Sequence, residues 1–125
     1  MLANCIVQTT IPYLDYNRAR QFYEDRLGFT PSQEVPGGVV YECGSGTSFV
    51  LYPSQFAGTA QNTAMGFMTN DIEAEVSSLR SQGVVFEEYD MPDLKTINGI
   101  AEFPGGRVAW FKDTEGNILG LTQIG

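Results

Sequence analysis

Residues 15–29 read DYNRARQFYEDRLGF. This stretch decides the fold, because it contains the start signal, the apolar spacing and the stop signal of one helix. Asp15 stands where an N-cap belongs, and Gly28 stands where a helix commonly stops. Between them the apolar side chains recur at helical spacing, at Tyr16, Ala19, Phe22, Tyr23 and Leu27. The stretch therefore predicts a helix that begins after Asp15 and ends at Gly28.

Strand-forming segments lie on both sides of this helix. Asn4–Tyr13, before it, is rich in β-branched residues, and Phe29–Val35 follows it. Val39–Cys43 and Thr47–Tyr52 then predict a hairpin that turns through the sequence GSG at 44–46. The first half of the chain is therefore predicted to have the element order βαβββ.

The same order of elements returns after a connector at residues 53–62, which carries Pro, Gly, Ser, Thr and Gln. Thr63–Thr69 predicts a strand, and Asp71 lies 56 residues after Asp15 as a second N-cap candidate. The apolar residues that follow Asp71 keep helical spacing, and Val84–Tyr89 predicts the next strand.

The second half is predicted to close on a hairpin, as the first half does. Asp90–Lys95 is expected to be an irregular acidic loop, and Ile97–Phe103 either extends that loop or forms a short strand. Arg107–Lys112 and Asn117–Gln123 then predict the closing hairpin. The second half thus repeats the order βαβββ.

Two modules of this size are predicted to form one domain. A repeat of about 60 residues does not bury both faces of a small sheet by itself, so the two modules are expected to share a core. The element order predicts an α+β fold over residues 1–125, with module one at about 1–57 and module two at about 61–125.

The composition restricts the function before any motif is considered. Of the 125 residues, 42% are hydrophobic and 18% are charged, which is typical of a globular domain. Fifteen acidic and seven basic side chains give a net charge of -8, so neither nucleic acid nor a membrane is an expected partner. The absence of histidine excludes a Ser-His-Asp triad, a Cys-His pair and any zinc site built on imidazole.

The apolar runs and the cysteines indicate a soluble cytoplasmic protein. The longest uninterrupted apolar runs have four residues, whereas a membrane span needs about 20. Cys5 and Cys43 are too few and too far apart for a structural zinc site. We expect two partly buried free thiols, with a single disulfide as the alternative.

Two motifs resemble the vicinal oxygen chelate superfamily, which includes glyoxalase I, extradiol dioxygenases, and fosfomycin and bleomycin resistance proteins. The stretch at 15–29 resembles the first helix of that family, which ends in LGF, and FKDTEGNILGL at 111–121 resembles its closing hairpin. The resemblance implies two βαβββ modules that form a curled mixed sheet around a central cavity. In metal-dependent members, each of four equivalent strands supplies one metal ligand to that cavity.

The four metal-ligand positions implied by the resemblance fall on Gln8, Val50, Ala64 and Gly120. Val50, Ala64 and Gly120 carry no donor atom, and Gln8 offers one neutral oxygen, which is a weak ligand at best. Metal-assisted chemistry needs several ligands from the protein. We therefore predict no metal, no other cofactor and no catalytic residue.

Strand alternation predicts which residues line the cavity. If Gln8 points inward, every second residue of its strand does so too, and the same rule applies to the other strands. The predicted ligand-binding residues are Gln8, Thr10, Ser48, Val50, Tyr52, Ala64, Gly66, Met68, Trp110, Ile118, Gly120 and Thr122. The small residues among them predict either a cavity widened for an organic ligand or a barrel filled by larger neighbours. Trp110 and Phe111 are adjacent, so they are expected to face opposite ways.

These residues favour binding over catalysis. The predicted walls carry apolar and neutral hydrogen-bonding groups and no cation, while Glu87, Glu88 and Asp90 are expected to form either an acidic rim or a solvated face. We predict a metal-independent protein that resembles bleomycin resistance proteins and binds a neutral or cationic small organic molecule. Because each module leaves open sheet edges, we also predict a homodimer.

Two other functions remain as alternatives. The first is an enzyme of the same superfamily, a lyase or oxygenase, with either a relocated metal site or acid–base chemistry from Glu42, Glu88 or Glu102. The second is an interaction module whose barrel is filled by its own side chains. Metal content separates the first alternative from a binding protein, and the volume of the cavity separates the second.

Overall fold

The computed structural model describes all 125 residues. The first helix, α1 (Tyr16–Gln21), continues as a wider π-helical turn over Phe22–Arg26, and the second helix, α2, spans Ile72–Ser81. Both helices are capped as predicted, because Asp15 and Asp71 each accept a backbone N–H from three residues later, at 3.0 and 3.1 Å. None of the helices has the length and apolar character that a membrane span requires.

The first sheet has four strands in the order β1-β4-β3-β2. Its strands are β1 (Thr9–Tyr13), β2 (Pro31–Val35), β3 (Gly38–Glu42) and β4 (Ser48–Pro53). The pairs β3–β4 and β2–β3 are antiparallel, whereas β1 runs parallel to β4. This is one complete βαβββ module, with α1 following β1.

The second sheet has six strands in the order β5-β10-β9-β8-β7-β6. Its strands are β5 (Thr63–Met68), β6 (Asp90–Met91), β7 (Leu94–Ile97), β8 (Ile100–Phe103), β9 (Gly106–Lys112) and β10 (Ile118–Ile124). Here β5 runs parallel to β10, as β1 does to β4. The second module therefore repeats the first and carries a short hairpin, β6–β7, at its outer edge.

The pairing register shows the repeat residue by residue. Thr10 of β1 lies opposite Val50 of β4, and Gly66 of β5 lies opposite Gly120 of β10. The first members of these pairs are 56 residues apart, as Asp15 and Asp71 are, and the second members are 70 residues apart. The α+β class and the two βαβββ modules are confirmed.

One apolar core lies between the helices and one face of both sheets. Eighteen buried residues form a continuous cluster that draws on both modules. The Phe22 ring of the π-helical turn lies 6.4 Å from the ring of Phe111 in β9, and the Phe29 ring lies 5.8 Å from that of Phe67 in β5. Fully burying one such side chain stabilises a fold by about 1.5–3 kcal/mol, so these contacts join the two modules within one chain.

Three predicted elements differ from the structure. The first strand begins at Thr9 and not at Asn4, because β4 begins only at Ser48 and residues 4–7 have no strand beside them. Val84–Tyr89 is not a strand and makes a single bridge, from Phe86 to Phe111, because β8 occupies most of that edge of β9. Asp90–Lys95 is not an irregular loop, since β6 and β7 pair within it.

The cysteines are both free thiols. Cys43 is half-buried as expected, and burial raises the pKa of its thiol. Cys5 is exposed, so the prediction that it is partly buried was wrong.

Candidate functional site

The sheet surface that faces away from the helices is uncovered, and we call it the open face. It is formed by alternate residues of β1, β4, β5, β9 and β10, whose sequence neighbours are buried in the core. The twelve predicted ligand-binding residues lie on this surface: Gln8, Thr10, Ser48, Val50, Tyr52, Ala64, Gly66, Met68, Trp110, Ile118, Gly120 and Thr122. Strand alternation is thus sufficient to gather them on one side of the two sheets.

The open face is not enclosed in a single chain. Met68 is 75% exposed and Tyr52 is 40% exposed, and only Gly120 among the twelve residues is buried. Five cavities of the chain lie elsewhere, and of the twelve residues only Met68 borders one of these five. A ligand on this surface would therefore need a second surface above it to be shielded from water.

Trp110 presents a large aromatic ring on the open face. Alternation along β9 buries Phe111, which is 1% exposed, and leaves Trp110 half-buried on the other side, so the prediction that they face opposite ways is confirmed. The ring of Tyr89 meets the indole edge-on, with 5.6 Å between the ring centroids. Gly120 lies directly opposite Trp110, and a Cβ there would stand 3.7 Å from the indole Cδ1. The methyl group of Thr63 would be closer still, at 3.3 Å, so glycine lets Thr63 and the indole pack closely above the strand.

Neutral hydrogen-bonding groups stand on the part of the open face that belongs to the first module. The Gln8 amide nitrogen donates to the Ser48 hydroxyl oxygen at 3.1 Å, which fixes the orientation of the amide. Glu42 lies directly opposite Ser48 in the β3–β4 ladder, so its carboxylate belongs to the same surface. Of the three acids considered for acid–base chemistry, Glu42 is the one whose strand register puts it beside the predicted site.

The open face also carries a cation, which the sequence analysis missed. Lys112 follows Trp110 by two residues in β9, so it points to the same side. Its Nζ lies 3.5 Å from Oε1 of Glu87, and the two charges offset each other. The two-residue period of a strand was sufficient to place Lys112 on the same side as Trp110 from the sequence alone.

Glu88 is an exposed carboxylate that accepts hydrogen bonds from within the chain. Its Oε1 accepts hydrogen bonds from the Thr96 hydroxyl at 2.6 Å and from the Gly99 N–H at 2.7 Å. These two bonds lower the pKa of Glu88. The carboxylate stabilises the turn between β7 and β8, and Glu87 is paired with Lys112, so two of the three acids expected at a rim are bound to groups of the chain.

The positions that the resemblance assigns to metal ligands do not fit a metal ion. Three of them, Val50, Ala64 and Gly120, have no donor atom, and Gln8 offers only one neutral amide oxygen. No group of three or more His, Cys, Asp or Glu side chains lies close enough together to hold a metal. No step of a mechanism can be assigned to an ion at these positions.

The second sequence motif, DTEGN at 113–117, forms a buried joint between the modules. One oxygen of Asp113 accepts the backbone N–H groups of Glu115 and Asn117 at 2.9 and 2.8 Å. The other accepts the Tyr23 hydroxyl of the π-helical turn at 2.6 Å. Burial raises the pKa of Tyr23 well above its usual range, so the phenol remains the donor.

Glu115 completes this joint from the same turn. Its carboxylate accepts the backbone N–H groups of Leu14 and Asp15 at 2.8 and 2.7 Å, and the Arg18 Nε at 2.8 Å. Burial alone would raise its pKa, but these hydrogen bonds outweigh burial and hold the pKa of Glu115 at about 2. Both acids of the motif are therefore engaged in structure, on the helix side and away from the open face.

The fold and its motifs define the class of this protein. The profile of the Glyoxalase/Bleomycin resistance protein/Dioxygenase superfamily matches residues 6–121, and the chain belongs to that superfamily. Among curated proteins, the Uncharacterized protein YurT of Bacillus subtilis (strain 168) is 27% identical over 136 residues, which cover 94% of this chain and 98% of YurT.

Solved structures of the same fold include proteins with different activities. TnmS3, an antibiotic binding protein from Streptomyces sp. CB03234, matches with a TM-score of 0.72 and 25% identity over 100% of this chain and 99% of its own. A lactoylglutathione lyase from Agrobacterium tumefaciens matches with a TM-score of 0.64 and 20% identity over 96% and 93% of the two chains. The second likeness concerns the fold alone.

Proposed function

We propose that this protein binds a small organic molecule on the open face without a metal ion, and that a second copy of the chain encloses the ligand. The observation that carries the proposal is the composition of that face, which combines the Trp110 ring, neutral hydrogen-bonding groups and small residues such as Gly66 and Gly120. Shape and ring stacking are the means of recognition that such a surface offers. The similarity to TnmS3, which is described as an antibiotic binding protein, supports a binding role.

The ligand we propose is neutral or cationic. Lys112 is offset by Glu87, so an anion on this surface would lose hydration without gaining a free cationic partner. A cation above the Trp110 ring gains about 0.5–2 kcal/mol, and the net charge of -8 attracts it from a distance.

Fluorescence of the single tryptophan tests the site. Cationic aromatic compounds, including glycopeptide-like drugs, should quench Trp110 saturably, while inorganic phosphate and small dicarboxylates should not. Trp110→Phe should remove the signal and weaken binding measured by calorimetry. Unchanged calorimetric affinity in that variant, or tight binding of the dicarboxylates, would contradict the proposal.

Elemental analysis tests independence from metal. Purified protein should contain far less than one zinc, iron, nickel or manganese ion per chain, and a chelator should leave ligand affinity unchanged. The reason is that three of the four family positions carry no donor atom. A stoichiometric ion that chelation removes together with binding would refute a metal-free site.

Light scattering tests the second copy. At micromolar concentration the mass should be twice 13.7 kDa, because the uncovered sheets need a partner. Met68→Glu puts a charge on the open face, where Met68 is 75% exposed, and should yield monomers that bind the ligand weakly. Ile97→Glu is the matched control, because Ile97 is 70% exposed in a groove beside α2. If the two variants have the same mass in light scattering, the open face is not the dimer contact.

Metal-free acid–base catalysis is the second candidate function, and the position of Glu42 on the open face is what favours it. Glu88 is engaged in a turn and Glu102 lines the groove beside α2, so neither has that position. Mass spectrometry of the ligand after incubation decides between the two. A ligand recovered unchanged supports binding alone. A product that forms with the unaltered protein and does not form with Glu42→Gln would establish an enzyme.

A further inference from the structure

A second pocket lies on the helix side of the molecule, at the junction of the two modules. Its volume is about 230 Å³. Leu27 and Phe29 of the first module form one wall, and Phe67 and Leu79 of the second module form the other. Seven of its nine lining residues are apolar. Of the residues predicted to bind a ligand on the open face, only Met68, at the end of β5, borders this pocket.

The walls of this junction pocket are apolar side chains that the core buries only in part. Leu27, Phe29, Phe67 and Leu79 pack against the core cluster and remain partly exposed. The rings of Phe29 and Phe67 lie 5.8 Å apart with 28° between their planes, so they present neighbouring aromatic surfaces. A bound apolar group would cover surface that water now contacts, and this is favourable in proportion to the area covered.

One charged side chain, Glu75 of α2, borders the pocket. It is exposed and takes part in none of the five ion pairs of the chain, whereas Glu73, on the same helix, is paired with Arg107. No basic side chain lines the pocket. The charge that complements this arrangement is positive.

We propose that the junction pocket binds a small organic amine that carries one aromatic or alicyclic ring. The ring lies among Leu27, Phe29, Phe67 and Leu79, and the ammonium group lies at the mouth beside Glu75. The volume fits this class, because an apolar cavity of about 150 Å³ in another protein is enough to hold benzene. An ammonium group next to the Phe29 and Phe67 rings also gains from their π-faces. A carboxylate in the same place would meet Glu75 as a like charge.

Such a ligand would touch both modules at once. A molecule that binds only where the modules are packed together stabilises the folded chain by mass action. The inference goes beyond the open face and does not depend on it, because Trp110 lies on the other side of the sheet and forms no part of this pocket.

Three ligands of one shape test the proposal: benzylamine, benzyl alcohol and benzoate, titrated into the full chain and followed by ligand-observed NMR. Benzylamine should bind most tightly and benzoate most weakly. Glu75→Gln should weaken benzylamine about threefold, to the level of benzyl alcohol, since an exposed ion pair contributes on that scale. Glu102→Gln, the matched control, removes another exposed carboxylate that has no ion pair and should change nothing.

Filling the pocket provides the second arm. Leu79→Trp adds bulk from a partly exposed position of α2 and should abolish binding at this pocket, so that Glu75→Gln no longer changes the affinity for benzylamine in that background. Trp110→Phe should leave the effect of Glu75→Gln unchanged, even if it weakens a separate site on the open face. Equal effects of Glu75→Gln and Glu102→Gln, or benzoate binding as tightly as benzylamine, would overturn the charge assignment. An effect of Glu75→Gln that survives Leu79→Trp would overturn the pocket itself, and loss of that effect in Trp110→Phe would move the amine to the open face.

Discussion

Glu115 is a fully buried carboxylate whose two oxygens are both engaged by hydrogen-bond donors from the first module. Its Oε1 accepts the N–H groups of Leu14 and Asp15 and the Arg18 Nη2, and its Oε2 accepts the Arg18 Nε and the Thr114 hydroxyl. The side chain is 0% exposed. A buried charge is tolerated only when its hydrogen bonds are complete, as they are here.

Glu115→Gln should be strongly destabilising. The amide NH₂ would stand against donors that then have no acceptor, so we expect a loss of about 2–4 kcal/mol in the free energy of unfolding. Urea unfolding measures it. Glu34→Gln is the control, because the Glu34 side chain is 72% exposed in its pair with Arg20 and its loss should cost less than about 1 kcal/mol. Similar losses in both variants would contradict the role given to Glu115.

The same carboxylate predicts an acid-sensitive fold. Its pKa is about 2 in the folded chain against 4.5 for an ordinary glutamate, so the unfolded chain takes up the proton first as the pH falls. The contribution of Glu115 is complete above pH 4.5 and decreases by about 3 kcal/mol as the pH falls to 2. Urea unfolding from pH 6 to pH 3 should show this slope, and Glu115→Gln should reduce it. An unchanged slope in the variant would assign the acid sensitivity to other groups.

At the scale of residues, alternation along strands was predictable and long-range pairing was not. The opposite orientations of Trp110 and Phe111 follow from the two-residue period of any strand, whatever surrounds it. The partners of Glu115 lie about 100 residues away, at Leu14, Asp15 and Arg18, and no local pattern records such a contact. The motif at 113–117 was recognised as a turn, but its role in holding α1 was not.

At the scale of elements, the connector between the modules packs on the closing turn of the second module. Gly58 has a φ of +75°, and a Cβ there would overlap the carbonyl oxygen of Glu115. Gly116 in that turn approaches so closely that its own Cβ would lie 3.0 Å from the Cα of Gly58. Two backbones thus meet where no side chain fits.

Gly58→Ala should therefore destabilise the chain by about 2–4 kcal/mol, through a strained left-handed backbone and a displaced turn. Gly44→Ala is the matched control, because Gly44 lacks a positive φ and has open space around its Cβ position. It should change the free energy of unfolding by less than about 1 kcal/mol. Thermal and urea unfolding of both variants give the comparison, and a mild Gly58→Ala would mean that the connector is free to move away.

Elements were predictable where their own residues determine them. The caps at Asp15 and Asp71 and the closing hairpin need only local chemistry, and all three are present. Val84–Tyr89 has the composition of a strand, yet a strand exists only where a neighbouring edge is free. The β6–β7 hairpin shows the reverse, because a segment with two Asp and one Pro in six residues pairs where the sheet offers it an edge.

At the scale of the whole molecule, the shared core makes the two modules one cooperative unit. Aromatic contacts such as Phe22–Phe111 and Phe29–Phe67 cross the junction, and the joint at Asp113 and Glu115 closes it. Neither module keeps its buried surface if the other unfolds. A single transition is the expected behaviour of such a chain.

The aromatic residues provide a separate reporter for each module. Five of the six tyrosines lie in the first module and the single tryptophan lies in the second. Tyrosine absorbance and Trp110 fluorescence, followed during urea unfolding at one protein concentration, should give the same midpoint. Two separated midpoints would show that the modules unfold independently and that the shared core contributes little.

The contact between Glu115 and the start of α1 also has a consequence for the order in which the chain is made. Leu14 and Asp15, whose N–H groups donate to this carboxylate, leave the ribosome about 100 residues before Glu115 does. At roughly 5–20 residues per second, the first helix waits about 5–20 s for the group that holds it. The first module is therefore expected to reach its final structure only after the turn at 113–117 has emerged, and in that interval its exposed apolar surface is open to chaperones.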